Sequence, residues 1–369
     1  MSVTIKPWDA FELIALPLKG AGPVKGIKRG QAVSAGELLA VQPDPATGDV
    51  HASIGGRVEE INEVEIIIRR DDQAVGRPPE PQSLKDLPGL ELARTLKALG
   101  VDIPLVQPGD PIIIINTLDP EPGLSLAPAL FGEQRETILA GLEAVGRLWP
   151  DHRLQWAVRW PEYLRPEAEG QVVNGPYPFT LPALVKKKML GLSDPSASGV
   201  LGGRELFILG RVWRTGLPLT ISPLTLGGSN YFIPLGARII DLLTFANLRP
   251  GPNDAVIKGG LVRGLSLSRL ERGLDQSVPA LHLVRGVESA LDYAPCRDCS
   301  ECARACPLGL PIDRSAGGDP DEWPRRSEWP ELAGCLACGA CALACPAGRP
   351  LMSLARLAGL SLRKERPGP

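Results

Sequence analysis

From the N-terminus to about Asp72, apolar positions come in short clusters separated by glycine. The stretch IKRGQAVSAGELLAV covers Ile27–Val41, and HASIGGRVEEINEVEIIIRRDD alternates before ending on Ile66, Ile67 and Ile68. Such spacing predicts short strands, with Gly55 and Gly56 at a tight turn between two of them. The proline-rich GRPPEPQSLKDLPG that follows reads as a linker. Leu90–Leu99 then takes up helical spacing and stops at Gly100.

Pro111–Ile115 is a compact apolar strand whose unbroken hydrophobicity fits burial on both faces of a parallel sheet. A helix is predicted over Gln134–Leu148, with Ile138, Leu139, Leu142 and Val145 as its apolar positions. Strands at Leu154–Val158 and Glu205–Leu209 complete a βαβ-like pattern. Lys186, Lys187 and Lys188, in PALVKKKML, are expected on a solvated helix face. From Gly216 to Leu274 the strands are short again, around a helix at Ala237–Ala246, which predicts a small α+β unit. After Cys345, Leu351, Leu354 and Ala358 share a helical face, with Arg363, Lys364 and Arg366 at its C-terminal end. That helix is expected to dock on its own cysteine-rich unit.

A chain of 369 residues predicts two to four compact units. Hydrophobic residues at 44% and charged residues at 22% exclude disorder. The net charge of -2 gives no basic face for nucleic acid. No run approaches the roughly 18 apolar residues of a membrane-spanning helix, and the opening MSVTIKPWDAFELIALPLKG is not a signal peptide by pattern, so a cytoplasmic location is expected. The glycine pairs fit no phosphate loop, and His51, alone beside a turn, is expected to make an ordinary hydrogen bond.

The chemistry lies in the last fifth. Cys296, Cys299, Cys302, Cys306 and Pro307 form C-x-x-C-x-x-C-x-x-x-C-P, and Cys335, Cys338, Cys341, Cys345 and Pro346 repeat it; these are all eight cysteines. A 4Fe-4S cube needs four thiolates, and a triplet at this spacing wraps three corners. In two-cluster ferredoxins the last cysteine of each run ligates the other cluster. The expected ligand sets are therefore Cys296, Cys299, Cys302 and Cys345 for one cluster, and Cys335, Cys338, Cys341 and Cys306 for the other. Structural zinc favours separated C-x-x-C pairs instead, and a disulfide framework belongs to small secreted domains.

Two resemblances extend this picture. V-x-x-G-x-L-L-A-V followed by H-A-S-x-G-G-x-V resembles the flattened barrel of biotinyl and lipoyl domains. The segment QPDPATGD, where the carrier lysine would fall, has no lysine, which implies a structural or docking role. The whole chain resembles the C subunit of the Rnf ion-translocating electron-transport complex, RnfC, at VHASIGGRV, NTLDPEP, VIKGGLVRG and the two cysteine runs.

The Rnf resemblance implies a multidomain α/β and α+β protein. Its expected units are a barrel-sandwich hybrid at 1–75, a Rossmann-like α/β domain at 85–215, an SLBB-like β-grasp at 216–280, and a two-cluster ferredoxin-type domain at 285–369. It further implies single-electron transfer through two 4Fe-4S clusters. The expected partners are membrane subunits of a redox complex and a soluble electron donor or acceptor protein, with the chain peripheral on the cytoplasmic side. The family's glycine loop G-G-x-G-F-P-T is replaced here by ALGVDIPLVQPGD, where Pro104 and Pro108 remove two amide donors. Hence FMN and NADH binding is expected to be lost or much weakened, and Asn116, Asp119 and Glu121, which stand where the family's acidic strand end lies, are equally candidates for turn capping. The rival readings are a flavin-dependent NADH dehydrogenase subunit, a cobalamin-reductase-like protein, and a scaffold with structural clusters.

Overall fold

A computed structural model describes residues 4–8, 11–107, 111–159, 169–191, 197–286, 294–317, 332 and 334–354. Pro108, and the helix expected beyond Leu354 with Arg363, Lys364 and Arg366, lie outside the described residues.

The glycine-punctuated N-terminal region folds into short strands: β1 (Ile5–Pro7), β2 (Leu13–Pro17), β3 (Gly22–Pro23), β4 (Ala32–Val33), β5 (Leu38–Val41), β6 (Val50–His51), β7 (Gly56–Ile61) and β8 (Glu65–Arg70). Strands β2-β8-β7-β4 form one sheet and β3-β5-β6 another. Alternation places Ile14, Leu16, Val58, Ile66 and Ile68 inward, where they meet Leu39, Ala40 and Ile54 in a single core.

Next come α1 (Gly89–Ala98), β9 (Ile112–Asn116), α2 (Leu126–Glu133), α3 (Arg135–Leu148), β10 (Arg153–Val158), β11 (Gly170–Val172), α4 (Pro182–Leu190), β12 (Val200–Gly202) and α5 (Gly203–Thr215). The sheet order is β11-β10-β9-β12, every pairing parallel. The isoleucine run explains why β9 sits inside it. Ile113 and Ile115 pack into the core with α1, α3 and α5, while Ile114 packs on the opposite side with Val185 and Met189 of α4. Both faces are covered by helices.

A third sheet uses β13 (Ile221–Leu226), β14 (Ser229–Pro234), β15 (Ala255–Lys258), β16 (Leu265–Leu267) and β17 (Ala280–Val284), with α6 (Ile239–Phe245) between β14 and β15. Its order is β1-β14-β13-β17-β15-β16, so β1 lies here, parallel to β14, and not with the strands that follow it in sequence. This sheet shares its core with the N-terminal strands through Leu224, Ile233, Leu242 and Leu243.

Two expectations are corrected. Glu205–Leu209 is not a strand: it lies inside α5, and the fourth parallel strand is β12. A short apolar run reads alike for a buried strand and a buried helix. Leu206, Phe207, Leu209, Val212 and Trp213 keep helical spacing on to Gly216, and the Glu205 carboxylate accepts the Gly202 N–H at 3.0 Å to start the helix. Lys186 is not on a solvated face either. It is 2% exposed and its ammonium donates to the Ser198 carbonyl at 2.8 Å, whereas Lys188 alone of the three is exposed.

The N-terminal strands and α1 are joined by a partly buried pair, Lys97 Nζ to Asp49 Oδ1 at 2.5 Å; the same ammonium also donates to the Gln42 carbonyl. Helices α3 and α5 approach so closely that a Cβ on Gly210 would strike the Thr137 carbonyl, and one on Gly141 the Leu206 carbonyl.

Gly210→Ala is expected to lower stability by about 1–3 kcal/mol by forcing these helices apart; an unchanged urea midpoint would contradict this packing. His51 is buried and its pKa is depressed by that burial to about 4 from 6.5. Its neutral form is favoured in the fold, so its contribution is complete above pH 6.5 and declines as pH falls through that value towards 4, where only the unfolded chain takes up a proton. Replacement by Gln should remove about 1 kcal/mol of the stability lost between pH 6.5 and 5.5, read as a smaller shift in urea midpoint.

Candidate iron-sulfur site

The two cysteine runs fold as a structural repeat offset by 39 residues, since 335 − 296 = 39. In the first, Asp298 and Ser300 take positive φ (50° and 57°) before α7 (Glu301–Arg304); in the second, Ala337 and Gly339 do so (49° and 76°) before α9 (Ala340–Leu343). These left-handed residues curl each loop so that its three thiols face one side. The hydrogen bonds repeat too: Cys306 N–H donates to the Ala303 carbonyl and Cys345 N–H to Ala342, and Gly309 to Cys306 as Gly348 to Cys345. With α8 (Ile312–Ala316), the repeats close over a small core of Ile312, Leu332, Leu351 and Leu354.

The fold gathers the eight cysteines into two hollows. One, of about 340 Å³ including its mouth, is lined by Cys335, Cys338, Cys341 and Cys306. The other, about 370 Å³ on the same measure, is lined by Cys296, Cys299, Cys302 and Cys345. Each hollow thus takes three thiols from one run and the last thiol of the other. Among the described residues no three potential ligands converge tightly enough for a single metal ion; the thiols ring a space instead.

The hollows differ in their walls. Around Cys335, Cys338 and Cys341 stand Leu308, Leu310, Ile312, Leu336 and Ala337. Around Cys296, Cys299 and Cys302 stand Arg297, Asp298, Ser300, Asp313 and Arg349, with Ser300 Oγ donating to Asp313 at 2.7 Å. Backbone amides point at sulfur, among them Leu310 N–H at Cys306 Sγ and Ala337 N–H at Cys335 Sγ, each at 3.4 Å; the Ala303, Ala340 and Ala342 amides favour the Cys302, Cys338 and Cys341 thiolates in the same way. Burial pushes the Cys302, Cys335 and Cys338 thiols up from their ordinary values, and Cys341 up to about 12. A cation must therefore displace protons to bind them.

The Cys335–Cys341 loop rests against the body of the protein. The Tyr177 hydroxyl donates to the Cys338 carbonyl, and a Cβ on Gly339 would approach Val262 Cγ1 to 2.8 Å. Arg263, next in sequence, favours the Cys338 thiolate through its charge; its N–H donates to Glu121 Oε2 at 2.9 Å. Tyr177 and Arg263 were not singled out by sequence, because neither belongs to a motif and Tyr177 is 161 residues from its partner. Asn116 and Asp119 are local caps: Asn116 Oδ1 accepts the Leu118 N–H, and Asp119 Oδ1 accepts the Ala127 N–H at the start of α2.

The segment standing where a glycine loop was sought is tied into the fold. Val101 N–H donates to the Leu96 carbonyl, Ile103 N–H to Ala46, Asp102 N–H to Gln276 Oε1 and Gln107 N–H to Ser198 Oγ.

Residues 295–349 match the 4Fe-4S dicluster domain family. The C-terminal segment is therefore similar to an iron-sulfur domain, attached to a mixed α/β body of several sheets. No curated protein matches the chain. Among solved structures, the chain is similar to NAD+-reducing NiFe-hydrogenase in the H2-reduced state, at 16% identity and TM-score 0.42 over 70% of this chain and 58% of that one. The air-oxidized state gives 16% identity and TM-score 0.41 over 76% and 60% respectively. This chain thus spans about three fifths of the length of those chains. Among the described residues no helix is long and apolar enough to cross a membrane.

In iron-free protein, Cys299, which is exposed, is expected to alkylate roughly tenfold or more faster than buried Cys341. Peptide mapping after brief iodoacetamide treatment checks this; equal rates would mean that the thiols are not arranged as described.

Proposed function

We propose that this chain is an electron-relay subunit holding two 4Fe-4S clusters. One would be held by Cys296, Cys299, Cys302 and Cys345, and the other by Cys335, Cys338, Cys341 and Cys306. The observation that carries this reading is the gathering of four thiols in each of two hollows with the last cysteine exchanged. The donor set fits: four thiols per site, backbone amides directed at sulfurs in both, and an apolar floor of Ile312 and Leu351 that limits water.

When bound, such clusters supply one-electron redox chemistry. The chain's own residues set the surroundings. Leu310 and Ala337 amides and the Arg263 charge stabilise thiolate at three of the ligands, while Tyr177 fixes the Cys338 backbone. Burial keeps the Tyr177 phenol protonated, so it remains a donor at neutral pH.

The finer reading places this relay in an Rnf-like membrane complex, peripheral on the cytoplasmic side and between membrane subunits and a soluble redox partner. The motif resemblance supports it, as does a four-stranded parallel sheet covered by helices on both faces, which a Rossmann-like domain would have. The engaged amides of Val101, Asp102, Ile103 and Gln107 support a chain that does not cradle FMN or NADH phosphates.

Protein purified without oxygen should carry about eight iron and eight sulfide per chain, without stoichiometric flavin. Cys345→Ala should remove about half the iron, from the site of the first run, although Cys345 belongs to the second. Zinc in place of iron, or flavin at one per chain bleached by NADH, would overturn the reading.

A further inference from the structure

Between β15, the loop that follows β16 and the start of α6 lies a cavity of about 260 Å³. Its polar lining is Lys258, Ser266, Ser268, Arg269, Arg272 and Asp275, with Ile239 and Leu267 on the apolar side. The loop wall is held firmly. The Ile239 and Ile240 N–H groups donate to the Arg272 and Leu270 carbonyls at 3.0 and 2.8 Å, the Gly236 N–H donates to the Leu274 carbonyl, and the Leu274 N–H donates to that of Ala237. A Cβ on Gly273 would strike the Ala15 carbonyl, so this loop runs hard against β2. The cavity is therefore formed before any ligand arrives, which spares a ligand the cost of ordering it. Lys19 and Glu65, from the N-terminal strands, reach Asp275 and Arg272 beside it, so the cavity lies where two sheets meet.

Its charge is unbalanced. Of the described lining residues three are cations and one is a carboxylate. Asp275 is already paired with Lys19 at 3.0 Å, and Arg272 faces Glu65 at 3.4 Å. Among the described residues Lys258 and Arg269 have no carboxylate within ion-pair distance, and the Ser266 and Ser268 hydroxyls have no hydrogen-bond partner. Lys258 is not an ordinary solvated lysine. It alternates with Val256, a core residue, so it projects from the inner side of its strand and is only partly exposed. Leu267, opposite Val256 in register, lines the same cavity. A partly buried cation with cationic neighbours and no counter-charge is unfavourable, and an anion placed among them offsets that cost.

An ammonium, two guanidinium groups and two hydroxyls are a donor set that matches the oxygens of a phosphate. The space exceeds that of an orthophosphate ion but falls below the roughly 300–1,000 Å³ of sites for larger organic ligands, which limits any attached carbon skeleton to a few atoms. We propose that this cavity binds a phosphate group, as free orthophosphate or as the monoester of a small carbon skeleton, with Lys258 and Arg269 as its chief counter-charges and Ser266 and Ser268 as hydroxyl donors. It uses no residue of the cysteine module, so it stands or falls apart from the relay reading.

The test is equilibrium dialysis of the full chain, purified without oxygen, against radiolabelled orthophosphate and glycerol phosphate at fixed ionic strength. One equivalent per chain is expected to depend on Lys258 and Arg269, and the tighter of the two compounds identifies the source. Lys258→Gln and Arg269→Gln should each weaken binding by about tenfold or more while iron content and urea midpoint stay constant. A larger cavity, of about 900 Å³ at the carboxyl ends of β9 and β10, carries Arg135 and Arg159 on its wall and is a competing place for phosphate. Arg135→Gln alters that wall and should leave the affinity of the site described here unchanged. Retention of neither compound, affinity unmoved by both Lys258→Gln and Arg269→Gln, or binding abolished by Arg135→Gln would overturn the proposal.

Discussion

The C-terminal segment is governed by an exchange: each cysteine repeat lends its last thiol to the hollow built by the other. Neither hollow is complete from one repeat. Helices α7 and α9 are four residues each, far below the length at which a helix persists alone, so tertiary contacts must hold them. Among the described residues these contacts come from Ile312, Leu332, Leu351 and Leu354 beside the thiols themselves.

What could be read from sequence divides by the range of the interactions concerned. The iron-sulfur character of the C-terminal segment was legible because the cysteines recur at a spacing of three residues, each run closing on Cys-Pro. The isoleucine run of β9 and the periodicity of α3 were legible for the same local reason. The failures are all long-range. Helix α5 reads as a strand until its partner α3 is known, with Gly141 and Gly210 allowing the close approach. Lys186 reads as solvated until the Ser198 carbonyl is brought to it. Strand β1 reads as part of the region beside it, yet pairs with residues 230–232. Tyr177 carried no signal at all, since its role exists only once the Cys338 loop is placed against it.

The segment 101–107 is held by hydrogen bonds to several parts of the body. A backbone N–H satisfied within the protein is not available to a ligand phosphate without breaking the bond it makes. Here those donors tie α1, the N-terminal strands and β12 together through Leu96, Ala46 and Ser198. These residues serve as a joint between parts of the body. The joint is reinforced by Gly48, whose N–H donates to Asp102, and by Lys97 on Asp49.

The two hollows are unequal, and that inequality gives the module a direction. The Cys335–Cys341 side is walled by aliphatic residues and backed by Tyr177 and Val262 of the body. The Cys296–Cys302 side is ringed by Arg297, Asp298, Asp313 and Arg349, and its Cys299 is exposed. Burial, hydrogen bonds to sulfur and nearby charge are the levers that set the potential of an iron-sulfur centre, and each of them differs between these sites. Two centres in one repeat fold would therefore be distinguishable in potential although their ligands are chemically identical.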